Sequence, residues 1–259
     1  MKFEFYKYQG TGNDFILLDN RHLLFPKNDT KLVAKLCDRK FGIGADGLLL
    51  LEEHETVDFK MVYYNADGNV GSMCGNGGRC ITHFAHFLGM IGSTTQFEAV
   101  DGIHHAKLED GMVHLKMNDV EAVSEYEHFT FLDTGSPHHV QMVDNLESFD
   151  VYGNGREIRT NRYGTAGANI NFVAMEDHDT FAVRTYERGV EDETLSCGTG
   201  VTAVALAMHT IGKTTSENVR LMTPGGTLRV QFKKRDPGYT DIYLIGPAVQ
   251  VYKGIWKTN

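Results

Sequence analysis

The sequence predicts an α+β protein built from two similar halves in tandem, each a set of strands around one central helix. Two observations carry this. A pattern of glycines, cysteines and charged residues recurs at one constant offset. Each copy also places a cysteine and a Gly-x-Gly just ahead of a helix-forming stretch.

The repeat is read from its most distinctive segments, Cys74-Gly-Asn-Gly and Cys197-Gly-Thr-Gly, which lie 123 positions apart. At that offset Thr11-Gly12 falls on Thr134-Gly135, Arg39 on Arg162, Gly44-Ala45 on Gly167-Ala168 and Glu53 on Glu176. Gly77 falls on Gly200, His86 on His209, Gly89 on Gly212 and Gly102 on Gly225. Chance gives scattered glycine matches, not one register with Arg, Cys and His in it. A period this long marks a duplicated domain rather than a solenoid.

The elements follow in order. Phe3 to Tyr8 alternates like a strand, and Asp14 to Leu18 and Gly47 to Leu51 read as strands too. Phe59 to Tyr64 is another, ending at the turn Asn65-Ala-Asp-Gly. After Cys74, Arg79 to Leu88 lacks Pro and Gly and carries Ile81, Phe84, Ala85 and Leu88 as a helical stripe. After Cys197, Val201 to Met208 is apolar nearly all round, as a buried helix is. The crossing between halves is expected near 118 to 125. The first domain is expected to span 1–118, with 247–259 returning to it, and the second 119–246.

Composition narrows the function. A formal charge of −9 over 259 residues argues against nucleic acid or an anionic membrane as the main partner, since both need a basic face. No apolar targeting segment or membrane-spanning run is visible, and a cytoplasmic location is expected. The four cysteines, Cys37, Cys74, Cys80 and Cys197, form no C-x-x-C pair, which weakens zinc and thioredoxin-type readings. The bland reading of any one of them is a small buried hydrophobe.

Cys74 and Cys197 depart from that reading. Each precedes a Gly-x-Gly that opens a helix, where the first N–H groups lack internal partners and the dipole adds positive charge. A carboxylate can bind the N–H groups of Gly75, Asn76, Gly198 and Thr199. The thiol pKa is expected to fall. Two such copies in pseudo-twofold packing bring both cysteines to one cleft. One, as thiolate, then removes a proton from a carbon while the other, as thiol, returns one to the opposite face.

With these motifs the chain resembles the diaminopimelate epimerase family. The resemblance runs from Gly10-Thr-Gly-Asn-Asp-Phe to Gly246-Pro-Ala-Val-Gln-Val-Tyr-Lys-Gly. It is carried by Tyr64-Asn-Ala-Asp-Gly, Met73-Cys-Gly-Asn-Gly-Gly-Arg-Cys, Ser136-Pro-His-His, Tyr186-Glu-Arg-Gly-Val and Thr194-Leu-Ser-Cys-Gly-Thr-Gly. It implies two pseudo-symmetric domains, each a curved, mostly antiparallel sheet around a central helix. It implies interconversion of LL- and meso-diaminopimelate for lysine and peptidoglycan synthesis, with no cofactor such as pyridoxal phosphate, no metal, and a homodimeric enzyme.

The resemblance assigns Cys74 and Cys197 as the acid–base pair, with Glu187 and His138 flanking the reacting centre. Glu187 is placed to meet the substrate ammonium. Gly75, Asn76, Gly198 and Thr199 surround the reacting carboxylate, and Asn13, Asn65, Asn169 and Arg188 hold the distal L-centre. Three features depart from the commoner family pattern: Ser136 where Asn is frequent, Gly47 where some members carry Gln, and a segment from Glu187 to Cys197 one residue longer than usual. Glu52-Glu53 and Glu191 to Glu193 read as solvated acidic stretches. The competing readings are a proline or hydroxyproline racemase-like enzyme, which needs no Asn-rich distal clamp, and a redox or binding module whose two cysteines form a switchable disulfide.

Overall fold

A computed structural model describes residues 2–257. The elements run β1 (Lys2–Gly10), β2 (Asn13–Asp19), α1 (Thr30–Cys37), β3 (Gly47–Glu52), β4 (Phe59–Asn65), α2 (Gly75–Phe87), β5 (Thr94–Ala99), β6 (Gly102–Glu109) and β7 (Met112–Lys116). They continue with β8 (Ser124–Glu125), β9 (Thr130–Asp133), β10 (Pro137–Met142), α3 (Val151–Tyr163), β11 (Asn169–Asp177), β12 (Thr180–Glu187) and β13 (Asp192–Thr194). Last come α4 (Gly198–Thr210), β14 (Asn218–Thr223), β15 (Gly226–Lys234), β16 (Tyr239–Gly246) and β17 (Val249–Lys257). The chain divides into two units, Met1–Leu115 with Gly246–Asn259, and Lys116–Ile245. Of the C-terminal segment expected to rejoin the first half, residues 258–259 lie outside the described residues, as does residue 1.

In the first unit β17 pairs antiparallel with β1 and β1 antiparallel with β2. Then β2–β3 is parallel, β3–β4 antiparallel, β4–β5 parallel, and β5–β6 and β6–β7 antiparallel. The second unit repeats that sequence: β9–β10 antiparallel, β10–β11 parallel, β11–β12 antiparallel, β12–β14 parallel, β14–β15 and β15–β16 antiparallel. Each sheet is therefore mostly antiparallel, and the fold is α+β with one topology used twice.

In the first unit the helices explain why the strands alternate as they do. Ile16, Leu18, Leu48 and Leu50 form a core with Leu32, Val33 and Leu36 of α1. Leu49 and Met61 approach Gly77 of α2 on the other face. A strand covered on both faces needs an unbroken apolar run, which accounts for Leu48 to Leu51. In the second unit the apolar α4 packs Val201 and Ala203 to Met208 against Val173, Phe181, Val183, Leu221 and Val230.

Three points differ from the sequence reading. The outer helices α1 and α3 were not expected. The helix α1 has only 8 residues, capped by Asp29, whose side chain accepts from Leu32 N. In α3 only Val151 and Gly155 are buried, so its apolar stripe is too thin to read. The offset also does not hold to the end. α2 and α4 coincide at 123, but β6 and β15 open at Gly102 and Gly226, both at positive φ (126° and 138°). The counterpart of Gly102 is thus Gly226 and not Gly225, because the second copy gains one residue before β14. Finally, Glu52 is not solvated: it is 3% exposed and accepts from Asn20 Nδ2 at 2.6 Å and Lys27 Nζ at 3.0 Å. Glu53, Glu191 and Asp192 are exposed as expected, and Glu191 and Glu193 pair with Arg159 and Arg184 at the surface.

Candidate active site

In the first unit Cys74 is the N-cap of α2, with extended backbone at φ −115° and ψ 122°. The first helical bond runs from Gly78 N to Cys74 O at 2.8 Å. No cap side chain accepts from the first turn. That leaves the N-terminal peptide dipoles aimed at whatever lies before the helix. Asn76 is 2% exposed and donates from Nδ2 to Asn13 Oδ1 at 3.2 Å. The Cys74 thiol donates to the same Oδ1, with Sγ at 3.5 Å.

Asn13 opens β2 and Asn65 closes β4, where it sits opposite Gly47 across the β3–β4 ladder. The Gly47 position explains itself sterically. A Cβ there would lie 2.5 Å from Tyr63 Cε2 and 2.5 Å from the Tyr64 carbonyl oxygen. The Tyr63 ring occupies the space a longer side chain at 47 would need.

Behind Cys74, Arg79 is fully buried and its guanidinium donates to neutral oxygens: Thr11 Oγ1 at 3.1 Å, Pro247 O at 3.4 Å and Gly75 O at 3.5 Å. Burial lowers its pKa from the usual arginine value. Cys37 and Cys80 are buried, which pushes both thiols up to about 12. They behave as core residues, as the bland reading has it.

The second unit repeats the arrangement. Cys197 caps α4 at φ −117° and ψ 113°, again with no side-chain cap. Its Sγ lies 3.5 Å from Thr199 Oγ1, and Thr134 Oγ1 donates to the Thr199 carbonyl at 2.9 Å. Gly200 must be glycine, because a Cβ there would lie 2.6 Å from Asn171 Oδ1.

His138, on β10, is 0% exposed. Burial, helped by the charge of Arg188, pushes its pKa down to about 3, so the ring is neutral at pH 7. Its neighbours decide the tautomer. Asn171 accepts at Oδ1 from Thr185 Oγ1 (2.9 Å) and donates from Nδ2 to the His139 carbonyl (2.9 Å), which fixes the amide. The same Nδ2 faces His138 Nδ1 at 3.1 Å, while Asn169 Nδ2 lies 3.4 Å from Nε2; a neutral ring has one acceptor, and the shorter contact makes it Nδ1, leaving the proton on Nε2.

Asn169 and Arg188 are joined: Arg188 N donates to Asn169 Oδ1 at 2.9 Å. The Arg188 guanidinium is held by Ala166 O at 3.0 Å and Ser136 Oγ at 3.2 Å. The shorter serine at 136 is therefore in contact with the arginine itself. Glu187 ends β12 and its Oε2 accepts from Thr194 Oγ1 at 2.8 Å. The lengthened segment after it folds as the hairpin β12–β13, turning through Gly189 (φ 91°) and Glu191 (φ 58°).

The structure thus gathers Asn13, Cys74, Gly75 and Asn76 in one unit. In the other it joins His138 to Asn171 and Asn169, and Asn169 to Arg188, and it sets Gly198 and Thr199 beside Cys197. Asn171 was missed from sequence, though an Asn inside the run Ile170 to Val173 was a signal, since strands disfavour it. Among the described residues no group of three or more His, Cys, Asp and Glu is arranged to hold a metal ion.

The chain shares its fold with solved structures of low sequence identity. It superposes on a phenazine biosynthesis protein of the PhzF family from Bacillus anthracis with a TM-score of 0.80, at 14% identity and 100% coverage of both chains. It also superposes on a probable proline racemase from Agrobacterium radiobacter at 0.71, with 13% identity and coverage of 99% and 92%. Sequence narrows this to one family. The profile of diaminopimelate epimerase matches residues 5–123 and 130–251, and the chain belongs to that family. A diaminopimelate epimerase of Flavobacterium psychrophilum is 56% identical over 250 residues, covering 96% of this chain and 98% of that one. One of Chlorobaculum tepidum is 45% identical over 257 residues, covering 95% and 98%.

Proposed function

We propose that the protein interconverts LL- and meso-diaminopimelate by moving the α-proton between two cysteines, without pyridoxal phosphate or metal. The observation that carries the proposal is the pair of identically built N-caps, Cys74 on α2 and Cys197 on α4, each lacking a side-chain cap. An α-proton of an amino acid is far less acidic than a thiol. The developing charge needs stabilisation, and two sets of helix N-terminal N–H groups supply it at the reacting carboxylate. Gly75 and Asn76 act with Gly198 and Thr199 there. One cysteine is the base as thiolate and the other the acid as thiol, and the roles exchange when the reaction reverses.

Glu187 meets the ammonium of the reacting centre, and His138, neutral with its proton on Nε2, donates beside it. Asn13, Asn65, Asn169 and Arg188 hold the distal carboxylate and ammonium, the arginine through its planar fork. This clamp favours a diamino diacid over proline, so the racemase-like reading is not the preferred one. The enzyme serves lysine and peptidoglycan-precursor synthesis in the cytoplasm and works as a homodimer. The exposed apolar side chains Val249, Val251 and Ile255 of β17 support the dimer.

The test is incubation of the reduced protein with LL-diaminopimelate in D2O, with no added cofactor, followed by NMR. Loss of the α-proton signal with appearance of the meso isomer is the expected result. Exchange with proline and none with diaminopimelate would move the protein to the racemase class.

A further inference from the structure

Asn13 contacts Cys74, yet an amide can face a thiol with either of two chemically opposite ends. Its oxygen stabilises the protonated thiol, and its NH2 group stabilises the thiolate. Asn76 Nδ2 donates to that oxygen at 3.2 Å, and a stronger hold on the amide comes at its other end. Asn13 Nδ2 donates to Asp46 Oδ2 at 2.7 Å. The same oxygen accepts from Asp14 N at 3.2 Å, and the other, Oδ1, accepts from Arg39 Nη2 at 2.7 Å. An ionised carboxylate only accepts. A flipped Asn13 would set its Oδ1 against Asp46 Oδ2, oxygen against oxygen. Arg39 is itself anchored on Asp14 by a two-pronged contact at 2.7 and 3.0 Å, and Lys7 closes the network on Asp14 at 2.6 Å.

We propose that Asp46, clamped by Arg39, is a positioning residue that locks the Asn13 amide with its oxygen toward Cys74 and so holds Cys74 in the protonated, acid form in the unliganded enzyme. This rests on the two-cysteine reading above, since only there does the protonation state of Cys74 set a catalytic role. Other titratable or charged groups on the elements around Cys74 are Arg79 and Cys80 on α2, Lys7 on β1, Asp14 on β2 and Tyr63 on β4. Arg79, fully buried just behind the cap, pulls Cys74 toward thiolate. The amide oxygen opposes it. None of these groups is altered by the test.

The test uses the full-length protein and reads the pH midpoint of Cys74 alkylation by iodoacetamide, resolved by peptide mass spectrometry. Cys37 and Cys80 do not compete, being buried. In Asp46→Ala the acceptor that holds Asn13 Nδ2 is gone. Asn13 then turns and donates to Cys74, whose midpoint falls by about one pH unit. In an Asn13→Ala background Asp46→Ala leaves the midpoint where Asn13→Ala puts it, whereas the loss of a negative charge alone would lower it there as well. If Asp46→Ala does not fold, Asp46→Ser, whose hydroxyl can donate as well as accept, releases the same amide and lowers the midpoint by several tenths. An unchanged midpoint, or an equal fall in the Asn13→Ala background, overturns the proposal. Alkylation needs no turnover, so the proposal and the assigned reaction can fail separately.

Discussion

Cys74 and Cys197 hold the same backbone, φ −115° and ψ 122° against φ −117° and ψ 113°, each at the residue that opens a helix of 13 residues. The other two helices begin differently. Asp29 and Asp150 close their own first turns by accepting from Leu32 N and Gly153 N. An Asp, Ser or Asn at position 74 or 197 would stabilise its helix, typically by about 1 kcal/mol, and would consume a donor the carboxylate needs. The cysteines are therefore poor caps, which suits the acid–base role proposed for them. Replacing either by alanine should lower kcat for diaminopimelate by about 100- to 10,000-fold while the fold persists, since neither side chain caps its helix. Steady-state kinetics with circular dichroism checks this. A single variant that keeps a tenth of the activity would refute the assignment.

Arg188 is held by Ser136 Oγ and Ala166 O, with its backbone N on Asn169. Arg188→Lys keeps the charge and loses the fork, so KM for diaminopimelate should rise about tenfold or more with a smaller change in kcat. Ser136→Ala removes one anchor and should raise KM by a few-fold only, about 1 kcal/mol for a single hydrogen bond. Equal effects of the two variants on kcat would place Arg188 at the reacting centre instead.

The doubled architecture was legible because glycine, cysteine and helix recur in one register, and because Leu48 to Leu51 is apolar without a break. The outer helices were not. Gly153 and Gly155 disguise α3, and Gly155 is required by contact: a Cβ there would lie 2.4 Å from Tyr186 Cβ. Of the site, the residues within a cysteine motif were visible as such. The partners that orient them were not, since Asp46 is 33 positions from Asn13 and Asn171 is 33 positions from His138. Such pairings depend on strand order. The parallel β2–β3 and β10–β11 ladders create them, and no local pattern announces that register.

Stability should fall as the pH drops from about 6.5 toward 5. His138 and His139 are 0% and 2% exposed, and burial pushes their pKa values down to about 3 and about 4. Unfolded, each binds a proton near 6.5, so the unfolded state takes up protons that the folded state refuses. Stability therefore rises with pH through this window and is lost as pH falls, by about 2 kcal/mol per histidine at pH 5. Asp14 does not contribute here. Burial opposes its ionisation, but Arg39 and Lys7 outweigh that and hold its pKa at about 2, so its share is lost only below about pH 4. Urea unfolding at several pH values between 7 and 5 measures the slope, and a flat profile would mean that neither histidine is held neutral.

Asn171→Asp should reverse the state of His138. The wild-type amide presents Nδ2 to His138 Nδ1 because Thr185 and the His139 carbonyl hold its two ends. An aspartate in that place only accepts. His138 must then carry its proton on Nδ1, and the adjacent negative charge favours a second proton on the ring, so the pKa climbs by several units from about 3. The His139 carbonyl loses its donor, which costs about 1–3 kcal/mol in stability. Nitrogen NMR of the ring distinguishes the tautomers directly: proton on Nε2 in the parent, on Nδ1 in the variant. With His138 beside the reacting ammonium as proposed, the rate of diaminopimelate epimerisation should fall most at low pH, where an imidazolium repels that ammonium, and recover as the pH is raised. If the ring keeps its Nε2 proton and the rate loses its pH dependence, Asn171 is not what sets the charge of His138.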